Sequence, residues 1–561
     1  MTPETTAAHR DSAERDSVEE VPASDNPVLA DHGLPYGLPA FSVIGDDDFL
    51  PAYELALPAH LAEVEAIASN PEPASFANTV AALEAAGTML ARANGIFFNL
   101  EGPDTNPQRA AIAQELAVRL TEHSNAITMH PQLFSRIAEL FQRRDELGLS
   151  EPELRLLEQR YRDAVRAGAG LDADGQQQMR EISARLATLT TDFSQKLLAD
   201  TNASAVLLTE ERELDGLSAA EIAAAERGAR DAGHERGWLI PLELPTSQAA
   251  VAKLTDPAVR QRIFDASINR CARGNEHDTR ALLLEIVALR ARRAALLGYP
   301  DHAAYVIAEE TAPDPAAVAD LLRELGAAAM SAGERELARL TAALGHEPGP
   351  ADVTYALALG DGGGLDTPAS ASAPAGTRPA GAGASSVGDT AGEGASSVGG
   401  ASSPAGGRVP GEALAESGVS RPAAERFEEY CELNTVLRDG VFYAAGELYG
   451  LSFAERDDLQ GYHPDVRVWE VLRDGVGIGL FLGDFYARPS KRGGAWMNNV
   501  VDQSNQLGTA PIVVNVLNLT KPSAPDQPCL LTLDQLTTLF HEFGHAIHGL
   551  LSQVDYVSQS G

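Results

Sequence analysis

The sequence predicts a mostly α-helical protein, and three observations carry that prediction. Apolar residues recur at steps of three and four through most of the chain, helix-start and helix-stop residues bracket those runs, and strand-like alternation is scarce before residue 500. A single clear β signal appears late, at 511–519, shortly before the last helical run.

Taken in order, residues 1–25 are polar, acidic and rich in Ala, Ser and Thr, a composition that predicts a disordered tail. From Asn26 the texture turns helical, and 26–356 reads as an N-terminal helical region. Ser150-Glu151-Pro152-Glu153 has the form of a capping box with proline in the first turn; Leu154, Leu157, Tyr161 and Val165 follow at helical spacing, and Gly168 is the stop. Met179, Ile182, Leu186, Leu189, Phe193 and Leu197 mark a second apolar stripe, and a third helix runs from Arg280 to Leu297 and ends at Gly298. Residues 357–411 are dominated by Gly, Ala, Ser and Pro and repeat Gly-Ala-Ser-Ser-Val-Gly at 383–388 and 394–399. Such a segment holds too little apolar surface to offset its ordering entropy, which predicts a flexible insert. Helical texture resumes near Ala413, with Phe427, Tyr430, Leu433 and Leu437 on one face. Pro511 to Leu519 is rich in β-branched residues and is followed by Lys521-Pro522, hence a strand. Thr532-Leu533-Asp534-Gln535 is a second capping box, and it opens a helix whose buried stripe is Leu536, Leu539, Phe540, Phe543, Ile547, Leu550 and Leu551. The partners of that stripe are expected beyond Gly561.

At 561 residues the chain is too long for one compact core. Its formal charge of −37, from 80 acidic and 43 basic side chains, argues against nucleic acid or an anionic membrane as partner. Cys271, Cys431 and Cys529 lie far apart, which excludes a disulfide scaffold and a thiolate zinc knuckle and fits a reducing compartment. No apolar stretch approaches the roughly 20 residues that span a bilayer, and none occurs near the N-terminus, so a soluble, cytoplasmic protein is expected.

His541-Glu542-Phe543-Gly544-His545 is the run that carries chemistry. Two histidines four apart on a helix share a face and can reach one tetrahedral Zn²⁺, so one zinc ion per chain is expected. Glu542, turned by about 100° from His541, stands near the metal without ligating it and can take a proton from an attacking water as a peptide carbonyl is hydrolysed. Gly544 is expected to leave room for a close backbone approach. The third ligand stays open. A metzincin is excluded, because it would need Gly at 548 and His at 551, where this chain has His548 and Leu551. Asp555 is a conceivable ligand. His548 returns to the metal face, but three ligands along one straight helix are strained, and a supporting role suits it better.

The run Leu539-Phe540-His541-Glu542-Phe543-Gly544-His545-Ala546-Ile547-His548-Gly549-Leu550 resembles the thimet oligopeptidase family of zinc peptidases. Gly483-Asp484-Phe485-Tyr486-Ala487-Arg488 and Lys491-Arg492-Gly493-Gly494-Ala495-Trp496-Met497 are similar to its bacterial members, and Asn515-Val516-Leu517-Asn518 with Lys521-Pro522 leans toward the peptidyl-dipeptidase branch. Asn26-Pro27, Leu34-Pro35-Tyr36-Gly37 and Asn70-Pro71-Glu72-Pro73 are similar to the family's opening, so the likeness spans most of the chain.

The resemblance implies a two-lobed helical metallopeptidase with a deep substrate channel and a small β element beside the zinc helix, acting on short unstructured peptides; a monomer is expected. It makes 412–561 the beginning of the catalytic domain, His541 and His545 zinc ligands, and Glu542 the general base. It also implies that the strand 511–519 flanks the substrate, a place for β-augmentation. In one respect the sequence departs from the family, whose third ligand is a Glu on a following helix roughly 25–30 residues past the first His. Gly561 ends this sequence twenty residues after His541, and no Glu follows Glu542. The expectation is a C-terminally truncated, inactive chain, with a catalytically dead peptide-binding fragment as the alternative to an enzyme.

Overall fold

A computed structural model describes residues 25–242, 250–361, 430–522, 524 and 527–561. The predicted tail, except Asp25, and residues 362–411 of the predicted insert lie outside the described residues, while a helix, Val353–Asp361, extends into the first part of that insert.

Helices make up most of the described chain, and they begin and end where capping chemistry places them. Ser150 caps Glu151–Ala167 in a reciprocal box with Glu153, and Gly168 closes it at φ 102°, a left-handed conformation suited to glycine. Asp172 caps Ala173–Ala203, whose Ile182, Leu186 and Leu189 pack against Ile286 of the helix Arg280–Leu296. Phe193 and Leu197, the far end of the predicted stripe, are left half-buried and exposed.

The small β element expected beside the motif helix is a five-stranded sheet, most of which lies before residue 500, where the sequence shows little strand-like alternation. Its strands are β3 (Leu451–Glu455), β4 (Arg467–Arg473), β5 (Val476–Tyr486), β6 (Trp496–Val501) and β7 (Ile512–Leu519), in the order β3-β4-β5-β7-β6. β5 and β7 run parallel and the other pairs are antiparallel. A separate two-stranded ladder joins β1 (Val206–Leu208) to β2 (Trp238–Ile240). Every residue of β7 is buried, because the sheet is covered on both faces. Ile512, Val514, Val516, Leu480 and Leu482 meet Phe49, Tyr53, Ile96 and Phe97 of the N-terminal helices Phe49–Ala68 and Thr88–Glu101. Val513, Leu517, Phe481 and Phe485 form a second core with the last long helix, Leu533–Leu550. Period-two alternation along β5 and β7 therefore separates two apolar cores instead of core from water, which hides it in the sequence. Helix Thr88–Glu101 meets β6 so closely that a Cβ on Gly95 would stand 2.5 Å from the Val500 carbonyl oxygen.

Between residues 430 and 450 the expected face is also revised. Leu433 and Leu437 are buried in a helix that passes through a π-turn, Val436–Phe442, whereas Tyr430 is 74% exposed and Phe427 lies outside the described residues.

Candidate active site

Thr532 starts the motif helix Leu533–Leu550 as expected: its Oγ1 accepts from the Gln535 amide at 3.2 Å, and Gln535 Oε1 accepts from the Thr532 amide at 3.0 Å. Leu539, Phe543, Ala546 and Leu550 face the sheet, with the Phe543 ring 5.4 to 6.0 Å from Phe481, Phe453 and Phe442. Leu539, Phe543 and Leu550 of the predicted stripe thus find their cover in strands that precede the helix. Phe540 is 40% exposed, and Leu536, Ile547 and Leu551 are only half-buried. The glycine under close approach is also a different one. Nothing lies within 4 Å of a Cβ built on Gly544, whereas one on Gly549 would meet Asn499 Oδ1 and Met497 Cε at 3.0 Å and Val513 Cγ2 at 3.1 Å.

On the opposite side of the helix His541 and His545 are both exposed, and their Nε2 atoms face each other at 3.3 Å. A tetrahedral zinc with Zn–N bonds of about 2.0–2.1 Å holds two nitrogens about 3.3–3.4 Å apart, so the pair has the bite of two zinc ligands. Burial pushes the His545 imidazole below its ordinary value, and His541 and His548 add to the shift, which favours the neutral form a metal requires. Glu542 lies between the sheet and the open face, only 7% exposed, and burial raises its carboxyl while His541 opposes the rise. Among the described residues, no His, Cys, Asp or Glu joins the two histidines in a group of three. His548 is exposed one turn further on, with the Gly561 backbone against its ring. Asp555 is held elsewhere: its Oδ1 accepts from Asn505 Nδ2 at 3.0 Å, its carbonyl accepts from Ser504 Oγ at 2.9 Å, and the carboxylate is committed to that loop.

Strand β7 cannot accept a substrate strand, since β5 occupies one of its edges and β6 the other. The sheet edge beside the motif helix is β6, and part of it is already taken where Asn99 Nδ2 donates to the Asn499 carbonyl at 2.9 Å.

Other side chains organise this region without being marked out by the motif. Lys491, fully buried, donates to the Asp484 carbonyl at 3.1 Å, Asp484 Oδ1 at 2.8 Å and the Leu517 carbonyl at 2.9 Å. Asn518 Nδ2 donates to the carbonyls of Arg492 and Gly494 at 2.9 and 2.7 Å, shaping the turn that enters β6. Asn515 Nδ2 donates to the Glu542 carbonyl at 2.8 Å. The available signal was two asparagines interrupting an apolar, β-branched run.

The sequence profile of peptidase family M3 matches residues 250–355 and 413–561. Over 537 residues the chain is 36% identical to the dipeptidyl carboxypeptidase of Escherichia coli (strain K12), an alignment covering 96% of this chain and 71% of the relative. It is 27% identical over 549 residues to oligopeptidase A of Salmonella typhimurium, covering 96% of this chain and 72% of that one. Among the described residues no helix is long and apolar enough to cross a membrane.

Proposed function

The chain belongs to peptidase family M3, and from that premise we propose that it is a zinc-dependent metallopeptidase of short, unstructured peptides. Two imidazole nitrogens 3.3 Å apart, with a buried carboxylate on the adjoining face of the same helix, carry this reading. His541 and His545 hold the zinc. When bound, the ion supplies Lewis-acid polarisation of the scissile carbonyl and of the attacking water. Glu542 is the general base. Its burial raises its proton affinity, so it takes a proton from water near neutral pH more readily than an exposed carboxylate, and it then holds that proton on its carboxyl until the leaving amine takes it. The sheet behind Phe543 closes one side of the helix to water and leaves the histidine face for the peptide.

Higher identity to a dipeptidyl carboxypeptidase than to oligopeptidase A favours release of C-terminal dipeptides over internal cleavage. Three buried, free cysteines fit a reducing, cytoplasmic setting.

The test is hydrolysis of an unstructured peptide by the full-length protein, with zinc content measured alongside. Chelation should abolish turnover and zinc should restore it. Glu542→Gln should keep its zinc and lose about 10²- to 10⁴-fold in kcat, as expected for removal of a general base. Hydrolysis that resists chelation, or loss of zinc on that substitution, rejects the assignment.

A further inference from the structure

At the centre of β7, Asn515 is fully buried, with Gly483 of β5 and Met497 of β6 as its register partners. Neither neighbouring side chain offers a strong hydrogen-bonding group. The Asn515 carboxamide turns to the motif helix, where Nδ2 donates to the Glu542 carbonyl at 2.8 Å, and its Oδ1 has no hydrogen-bond partner among the described residues. A buried amide with one satisfied end costs stability that a leucine of similar volume would not. The polar group is therefore spent on one contact, and that contact is with the main chain of the residue read above as the general base.

The rest of the interface between helix and sheet explains why such a contact matters. Val513 and Leu517 meet Leu539, Phe543, Ala546 and Leu550 through apolar surfaces. Apolar packing holds the helix down but tolerates a small slide or rotation at little cost. A directional hydrogen bond in a buried setting selects one arrangement among these. The acceptor is the main chain of Glu542 itself, so the contact bears first on the backbone from which that carboxylate projects.

We propose that Asn515 is a positioning residue: through the Glu542 carbonyl it fixes the local backbone of that residue, and with it the place of the Glu542 carboxylate. The inference rests on the reading of Glu542 as the base, and a double-mutant cycle separates the two. Asn515→Leu, Glu542→Gln and the double variant are prepared in the full-length protein, and kcat, KM, zinc content and melting temperature are measured for each. Asn515→Leu should melt no lower than the parent, keep its zinc, lose about 10- to 100-fold in kcat and change KM by less than about threefold. In the Glu542→Gln background the same substitution should cost less than about threefold in kcat, because the group it positions is gone. Unchanged kcat in a folded Asn515→Leu protein overturns the proposal, as does a loss that persists in full in the Glu542→Gln background. Wild-type turnover by Glu542→Gln alone overturns the reading of Glu542 and this inference with it. Should the leucine variant fail to fold, Asn515→Ala, which leaves a cavity instead of added bulk, is carried through the same cycle with the same deciding outcomes.

Discussion

Two helices of this protein carry strings of leucines and put them to opposite use. The motif helix Leu533–Leu550, 18 residues long, buries Leu539, Phe543, Ala546 and Leu550 against the sheet. The helix Pro315–Leu344 is 30 residues long, yet Leu340 is its one buried residue, while Leu321, Leu325 and Met330 are 56, 56 and 70% exposed. Both are properly started, by Thr532 and by Asp314, and both contain enough apolar side chains to line a core. What differs is the surface opposite. Apolar content alone does not produce burial; a complementary face must be brought to within contact distance, and among the described residues only the motif helix has one.

That contrast can be broken most directly at Phe543. Truncation by Phe543→Ala should cost about 3–5 kcal/mol, since the ring is enclosed by Phe442, Phe453 and Phe481 and the cavity cannot fully collapse. Urea unfolding monitored by circular dichroism measures it, and a loss under about 1 kcal/mol would mean the helix is not held by the sheet.

Acid probes the other side of the sheet more gently. His123 Nε2 lies 3.0 Å from His60 Nδ1 where the helices Phe49–Ala68 and Pro107–Thr128 meet. Burial, and then His60, push His123 down from 6.5 to about 4; burial also lowers His60, with Glu63 opposing. Because the folded value lies below the unfolded one, the unfolded chain binds the extra proton first. Stability on this account is fully present above pH 6.5, declines as pH falls toward about 4, and changes no further below that. His123→Leu should flatten this part of the profile of urea midpoint against pH, and an unchanged slope would show that the pair does not titrate as described.

Leu325→Ala, on the exposed helix, should be the smallest effect, below about 0.5 kcal/mol by the same urea measurement. A loss comparable to that of Phe543→Ala would erase the contrast and show that this leucine is buried in solution.

Much of the local structure was legible in the residues. Ser150 and Thr532 could be read as caps because capping depends on a side chain and an amide three residues away, a contact wholly contained in the local sequence. His541 and His545 could be placed on one face because helical spacing alone brings them together. Strands β3, β4, β5 and β6 were missed for a physical reason. Val476-Gly477-Ile478-Gly479-Leu480-Phe481-Leu482 shows no polar alternation, since helices cover both faces of that strand, and glycines at 477 and 479 imitate a loop. Gly544 and Gly549 could not be ranked from sequence either, because the difference between them lies in Asn499, Met497 and Val513, which come from other strands.

By itself, then, the sequence determined the class of fold, the starts of the capped helices, a strand near 511–519 and the placing of His541 and His545 on one helix face, all of which follow from side chains within a few turns of one another. Only the tertiary structure decided that the sheet has five strands between two cores, that it covers Leu539, Phe543 and Leu550 of the motif helix, that Asp555 accepts from Asn505, and that Asn515 reaches the carbonyl of Glu542. Those outcomes depend on segments tens of residues apart in the chain, and no local periodicity encodes which faces such segments will turn toward each other.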